Sequence, residues 1–244
     1  MNETINKYLQ KHGFEHFEPK AVLFDMDGVL YNSMPRHAIA WQQAMASFGI
    51  RMTEADAYAT EGARGIDTIR QMVSRQRGED ITLEQAQAMY DEKTRRFHLM
   101  GEAPLMEGIN ELLRIIHCHG LTIGVVTGSG QRPLINRLLT DFGAYLDEQH
   151  IVTAYDVSRG KPAPDPYIMG MQKAGTEPWQ TVVVENAPLG VSAGTAAKAF
   201  TIAVNTGPLP DRLLTDAGCD ILFPRMTALR DCWERLFCPQ HSLR

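Results

Sequence analysis

The sequence predicts an α/β protein: a doubly wound parallel sheet with a helical domain inserted after its first strand. Three observations carry this. Short, unbroken apolar runs rich in β-branched residues recur along the 244 residues, the pattern of strands buried on both faces. Amphipathic helical stripes separate them, and such alternation marks a helix-covered parallel sheet. One stretch, residues 35–103, carries helical patterns and no strand, which makes it an insert.

The elements follow in order. Residues 1–18 form an N-terminal extension; its isolated Ile5, Tyr8 and Leu9 among polar residues predict a short helix and neither a secretory signal nor a transit peptide. Ala21–Phe24 is the first strand. In the insert His37 and Trp41 stand one helical turn apart, Trp41 being assigned to packing. Thr82 and Gln85 form a capping box ahead of a helix whose apolar face is read as Leu83, Ala86, Tyr90 and Phe97. After the insert, Ile109, Leu112, Leu113 and Ile116 share one helical face, and Gly120 ends that helix. A strand at 121–126 leads to a second stripe, Leu134, Ile135, Leu138, Leu139 and Phe142. Strands are read at 151–153, 181–184, Phe200–Val204 and Ile221–Phe223. The sheet domain is therefore expected at 1–34 with 104–244, and the helical cap at 35–103. An insert after the first strand sits at the carboxyl ends of the strands, where ligands gather, and is placed to act as a lid.

Composition excludes several functions. Lys and Arg number 24 against 29 Asp and Glu, a net charge of −5, so no broad basic surface for nucleic acid is expected. No apolar run approaches the roughly 20 residues of a membrane span. Cys118, Cys219, Cys232 and Cys238 show no metal spacing and read as free thiols in a reducing, cytoplasmic setting. An acidic protein that binds an anion needs a local device: a metal ion, backbone amides or a placed lysine.

Four segments supply such devices, each at the end of a predicted strand or in the loop that follows. Asp25-Met26-Asp27-Gly28 delivers two carboxylates spaced two apart before a close turn. Thr127-Gly128-Ser129-Gly130 offers hydroxyls and glycine-flanked amides ahead of a helix, which suits an anion or, equally, a turn with a cap. Gly160-Lys161-Pro162 places one lysine in a proline-stiffened loop, and Glu185-Asn186-Ala187-Pro188-Leu189-Gly190 sets an acid and an amide where strand meets helix. A doubly wound sheet brings these ends together.

In this order the four motifs resemble those of the haloacid dehalogenase superfamily, in its subgroup with a helical cap after the first motif. The resemblance spans 21–223 and lies within the β-phosphoglucomutase-like branch. Segments 27–35, 126–130 and 185–191 look most like bacterial members that hydrolyse inorganic pyrophosphate. It implies a Rossmann-like core, an aspartyl-phosphate intermediate and Mg²⁺ as cofactor. Asp25 would be the nucleophile, and Asp27 would protonate the leaving group and then activate water. Asp25, the Asp27 carbonyl and Glu185 would hold the metal, with Asn186 close enough to keep an oxygen for it or for its water. Thr127 with Gly128 and Ser129 would hold phosphoryl oxygens, and Lys161 would offset their charge and orient Asp25. The expected partner is a small phosphorylated substrate, pyrophosphate or a sugar phosphate, acted on by a monomer.

Asn186 departs from the pattern, since relatives with mutase or general phosphatase activity usually carry Asp there. With Asp25, Asp27 and Glu185 ionised, Mg²⁺ and Lys161 would bring the pocket to neutrality, and an acid at 186 would leave it negative. In the cap, Glu61-Gly62-Ala63-Arg64-Gly65 reads as the substrate-facing loop. Glu61 is expected to reach the metal or its water on closure and to fill the space of a sugar, the alternative being a helix-end carboxylate. His37 is either a cap acid/base or structural, and Arg64 either meets a second phosphate or is solvated. Lys93, the cap's single lysine, is read as too charged and helical in setting to form a Schiff base. A β-phosphoglucomutase-like enzyme, a sugar-phosphate phosphatase and a non-catalytic phosphate-binding protein are the alternatives.

Overall fold

The computed structural model describes residues 2–130 and 132–237. Its strands are β1 (Ala21–Phe24), β2 (Thr122–Val126), β3 (Leu146–Val152), β4 (Thr181–Glu185), β5 (Phe200–Val204) and β6 (Ile221–Phe223). They form one parallel sheet in the order β3-β2-β1-β4-β5-β6. All six predicted strands are present. β3 begins earlier than its apolar end suggests, because Asp147, Glu148 and Gln149 are exposed along this edge strand. Polar residues at an edge discourage pairing with another chain, and an apolar-run reading does not detect them.

The helices in chain order are α1 (Asn2–His12), α2 (Met34–Ser47), α3 (Glu54–Ala59), α4 (Gly65–Arg77), α5 (Leu83–His98), α6 (Ile109–Cys118), α7 (Arg132–Phe142), α8 (Asp165–Ala174), α9 (Pro188–Ala196), α10 (Asp211–Asp216) and α11 (Met226–Phe237). Side chains alternate across a strand, so Val22 and Phe24 of β1 face α6, α7 and α11 while Leu23 faces α8 and α9. Strands β1, β4 and β5 are buried on both faces. The extension also belongs to the first core: Tyr8 of α1 is fully buried, its ring packs on Phe17 and Phe200, and its hydroxyl donates to the Pro178 and Lys198 carbonyls.

Helices α2 to α5 gather round a separate apolar cluster that includes Met34, Trp41, Met45, Ile69, Met72 and Met89. The Thr82 box is formed in both directions, Gln85 N–H donating to Thr82 Oγ1 and Thr82 N–H to Gln85 Oε1. The expected face of α5 needs one correction: Leu83 is 67% exposed. As the first residue of the helix it lies beyond the bundle, and Ala86, Met89 and Lys93 are the residues α5 buries.

Two connections join the helical insert to the sheet, and they pair with each other. Met106 N–H donates to the Leu30 carbonyl at 2.8 Å, Asn32 N–H to the Pro104 carbonyl at 2.9 Å, and Tyr31 bridges Leu105 antiparallel. Among the described residues no helix is long and apolar enough to cross a membrane. Cys118, Cys219 and Cys232 are free, and Cys238 lies outside the described residues.

Candidate active site

The end of β1 places Asp25 and Asp27 at the middle of the sheet edge. Gly28 then turns the chain at φ +83°, and a β-carbon there would lie 2.1 Å from the Asn186 side-chain nitrogen. Only a residue without a side chain admits Asn186 over this turn. Gly28→Ala is therefore expected to lower stability by about 1–3 kcal/mol through overpacking and to displace Asn186, as thermal unfolding and turnover assays would show. An unchanged melting point would contradict this.

Lys161 lies at the centre, 4% exposed. Its Nζ donates to Asp25 Oδ1 at 2.5 Å, to Glu185 Oε1 at 2.6 Å and to the Val126 carbonyl at 3.1 Å. Glu185 is wholly engaged: Oε1 also accepts from the Tyr167 hydroxyl at 2.7 Å, and Oε2 accepts from the Asn186 and Ala187 amides. Burial works to lower the Lys161 pKa, but Asp25 and Glu185 outweigh it and hold the ammonium above its ordinary range. Asp25 moves the other way, up to about 7, because burial and the charges of Glu185 and Asp27 exceed the relief from Lys161. Thr127 is buried, and its Oγ1 accepts from the Ser129 amide at 3.0 Å, which fixes the loop through Gly128.

Asp27 is held by different neighbours. Its Oδ1 accepts from Ser33 Oγ at 2.6 Å and contacts His37 Nε2 at 3.2 Å, while His37 Nδ1 lies 2.8 Å from Lys93 Nζ. A neutral imidazole satisfies both contacts, with Nε2–H donating to Asp27 and Nδ1 accepting from the ammonium. Burial and the Lys93 charge keep His37 below its ordinary pKa. For Asp27 burial is outweighed by the His37 contact, the Ser33 hydroxyl and Lys93, which leaves it at about 2. Their surroundings thus separate the two aspartates in pKa with Asp25 the weaker acid, the reverse of what an ionised nucleophile at 25 and a proton donor at 27 require, so charge delivered on binding must invert the order.

The helical insert covers them. Gly62, at φ +83°, nests against the core: a β-carbon there would lie 3.1 Å from Lys161 Cδ and 3.9 Å from the Gly190 nitrogen. Beneath this loop is a chamber of about 70 Å³ lined by Asp25, Asp27, His37, Glu61, Lys93, Thr127, Gly128 and Ser129 among others. Burial, then Asp27, then Asp25 raise the Glu61 carboxyl to about 8. Arg64 stands outside this chamber, beside a smaller cavity behind Lys161, with its Nε 2.7 Å from Asp67.

The setting expected for Lys93 is corrected here. It is 6% exposed, and its Nζ lies 5.1 Å from the Trp41 ring and 5.2 Å from that of Phe97. Aromatic faces and His37, rather than solvent, receive its charge. Trp41 packs as expected and also lines the chamber. Lys93 was visible in the sequence as a lysine on the apolar stripe between Tyr90 and Phe97. Tyr167 and Ser33 gave no comparable signal, because their partners are distant or set by a turn.

Two oxygens, Asp25 Oδ2 and Asn186 Oδ1, are buried with no hydrogen-bond partner among the described residues. Four carboxyl groups, of Asp25, Asp27, Glu61 and Glu185, share the site with two lysines. Unsatisfied buried oxygens in an acid-rich pocket suit a hard divalent cation. Among the described residues no cluster of three or more His, Cys, Asp or Glu side chains is arranged for a metal.

Residues 22–204 match the haloacid dehalogenase-like hydrolases. Hexitol phosphatase A of Escherichia coli (strain K12) is 33% identical over 186 residues, covering 76% of this chain and 83% of that protein. The β-phosphoglucomutase of Bacillus subtilis (strain 168) is 26% identical over 77% of this chain and 84% of its own. A solved structure from Bacteroides vulgatus, named as a candidate β-phosphoglucomutase, superposes with a TM-score of 0.92 at 47% identity over 96% of this chain and 95% of that one. The chain belongs to the haloacid dehalogenase-like hydrolase family, on its phosphatase and phosphoglucomutase-like side.

Proposed function

We propose that the chain is a Mg²⁺-dependent phosphohydrolase that works through an aspartyl phosphate and takes inorganic pyrophosphate. Asp25 attacks phosphorus and the bond to the leaving oxygen breaks; Asp27 gives that oxygen a proton and later takes one from the water that cleaves the acyl phosphate. Ser33 and His37 hold one oxygen of Asp27, leaving Oδ2 for proton transfer. Lys161, Thr127 and the Gly128–Ser129 amides receive the phosphoryl oxygens. Asp25, the Asp27 carbonyl and Asn186 would hold Mg²⁺, which offsets charge on the transferring group. Glu185, with both oxygens engaged, supports this set through Lys161.

The observation that carries the substrate is Glu61. It comes down from the cap, half-buried, into the chamber of about 70 Å³ that Asp25 and Asp27 also line. A carboxyl group there takes the place of a hexose and suits a cation accompanying a compact, highly charged anion. A sugar-phosphate phosphatase or mutase is the second reading, favoured by the names of the E. coli and B. subtilis relatives.

The test is phosphate release with Mg²⁺ across pyrophosphate, glucose 1-phosphate, glucose 6-phosphate and an aryl phosphate, with Asp25→Asn as blank. Pyrophosphate is expected to lead, and chelation to abolish release. Glu61→Ala is expected to cost about 10²-fold on pyrophosphate, the scale of one transition-state electrostatic group, and to raise hexose phosphate turnover. Preference of the wild type for a sugar phosphate, or isomerisation of β-glucose 1-phosphate, would transfer the assignment to the second reading. Release from no substrate would leave phosphate binding without turnover.

A further inference from the structure

The paired connections between sheet and cap are gripped from the side by one residue outside the chamber. Arg137 lies on α7, the helix that follows the 127–130 loop. Its terminal nitrogen donates to the Ala103 carbonyl on the returning connection. Its guanidinium carbon lies 4.3 Å from the centroid of the Tyr31 ring on the outgoing one. Its Nε donates to Asp141 Oδ2 at 3.2 Å, the same oxygen that accepts from the Tyr31 hydroxyl at 2.9 Å, and Glu102 Oε2 stands 3.8 Å away.

A surface ion pair ordinarily contributes about 0–1 kcal/mol and positions nothing. Here one planar fork reaches both crossing segments and ties them to the same helix, a geometry that a flexible ammonium does not reproduce. The ends beyond the grip are built differently. Gly101 has φ +72° and nothing within 4 Å of its absent β-carbon, and a cavity of about 230 Å³ lies between the connections and α7, lined by Tyr31, Phe97, Gly101, Ala103, Leu134 and Arg137. On the cap side Arg36 donates to the Glu102 carbonyl at 2.5 Å. The Glu102 backbone thus goes with the cap, while its carboxylate, 83% exposed, only approaches Arg137.

We propose that Arg137 is a positioning residue that fixes the pivot of the cap, holding residues 30–32 and 103–106 to the core so that motion is confined to the segments beyond. It touches no substrate and acts through the fraction of molecules in which Glu61 and Gly62 are seated over Asp25 and Lys161. Every substrate should feel it equally. The inference rests on cap closure being part of turnover, not on which phosphate is cleaved.

Arg137→Met and Arg137→Lys test it by two readouts. Turnover of pyrophosphate and of an aryl phosphate is expected to fall by one common factor in kcat/KM, about tenfold for a closed state that is less populated. Hydrogen exchange at the Asn32 and Met106 amides is expected to quicken by about tenfold through local opening, with β1 and β4 unchanged. Lysine should fail to restore either. If Arg137→Met does not fold, Tyr31→Phe carries the test, with smaller shifts of the same sign. Losses that differ between substrates, or unchanged exchange at Asn32 and Met106, overturn the proposal. A wild type that releases no phosphate would refute the functional reading, while the exchange measurement would still decide the pivot.

Discussion

Asp25→Asn is expected to keep the fold and to lose turnover by at least about 10⁴-fold, the scale on which removing a nucleophile leaves only binding and electrostatic catalysis. The amide has the shape of the carboxyl group it replaces, so Lys161 keeps Glu185 as its ion partner at 2.6 Å and the burial of the triangle is unchanged. What disappears is the negative charge that makes the group a nucleophile and one oxygen: with Oδ1 kept as the acceptor for Lys161, an amide nitrogen stands in place of Oδ2, one of the two buried oxygens available to a cation. Phosphate release measured beside a thermal melt separates the two consequences. A variant that melts like the wild type and retains more than about one part in a hundred of its activity would rule out Asp25 as the attacking group.

Lys161→Met is the second large effect, and it reaches stability as well as rate. The methionine fills a similar volume but leaves Asp25 and Glu185, 4% and 1% exposed, facing each other without a cation. Breaking a buried ion pair from one side costs about 3–5 kcal/mol, and loss of a charge on the transferring oxygens about 10²–10³ in kcat. The pH dependence has a definite sign. Asp25 is already raised from 3.8 to about 7 in the folded protein, and removing Lys161 raises it further. A carboxyl group raised on folding favours the folded state below its unfolded pKa and loses that advantage as pH climbs through the folded one. The gap in stability between wild type and variant should therefore hold steady from about pH 5 to 7, where both folded proteins keep Asp25 protonated, and widen above about pH 7, where only the wild-type Asp25 ionises. Denaturant melts at about pH 6 and about pH 9 check it; a gap no larger at the higher pH would mean that removing Lys161 does not raise Asp25 further.

The fold was legible because burial on both faces writes itself into composition. Strands β1, β4 and β5 have no exposed position, so no polar alternation interrupts them. The polar start of β3 was not legible, since an edge strand can carry Asp147, Glu148 and Gln149 at no cost to a core. The four motifs gave the residues that cluster, because the topology of a doubly wound sheet fixes where its strand ends lie. The lining of the lid was harder to read. Helical periodicity says that Lys93 shares a stripe with Tyr90 and Phe97; it does not say that His37 of another helix supplies the partner that makes its burial tolerable. Leu83 was misplaced for the converse reason, as an apolar residue at the first turn whose neighbours are absent. Glu185 shows a further limit: the sequence offers two carboxylate oxygens, and only the packing reveals that Lys161, Tyr167 and two amides have already taken them.

Tyr8 buries its ring on Phe200 and donates its hydroxyl to carbonyls 170 and 190 residues further along the chain. On the ribosome, α1 emerges long before anything exists for it to dock against. Its amphipathic surface must stay unattached while the cap, whose helices contact one another at short range, can already fold between β1 and β2. Contacts so remote in sequence form late because loop closure must be completed first. A segment made well before β5 thus settles only after it, and its docking registers that β5 has arrived beside β4.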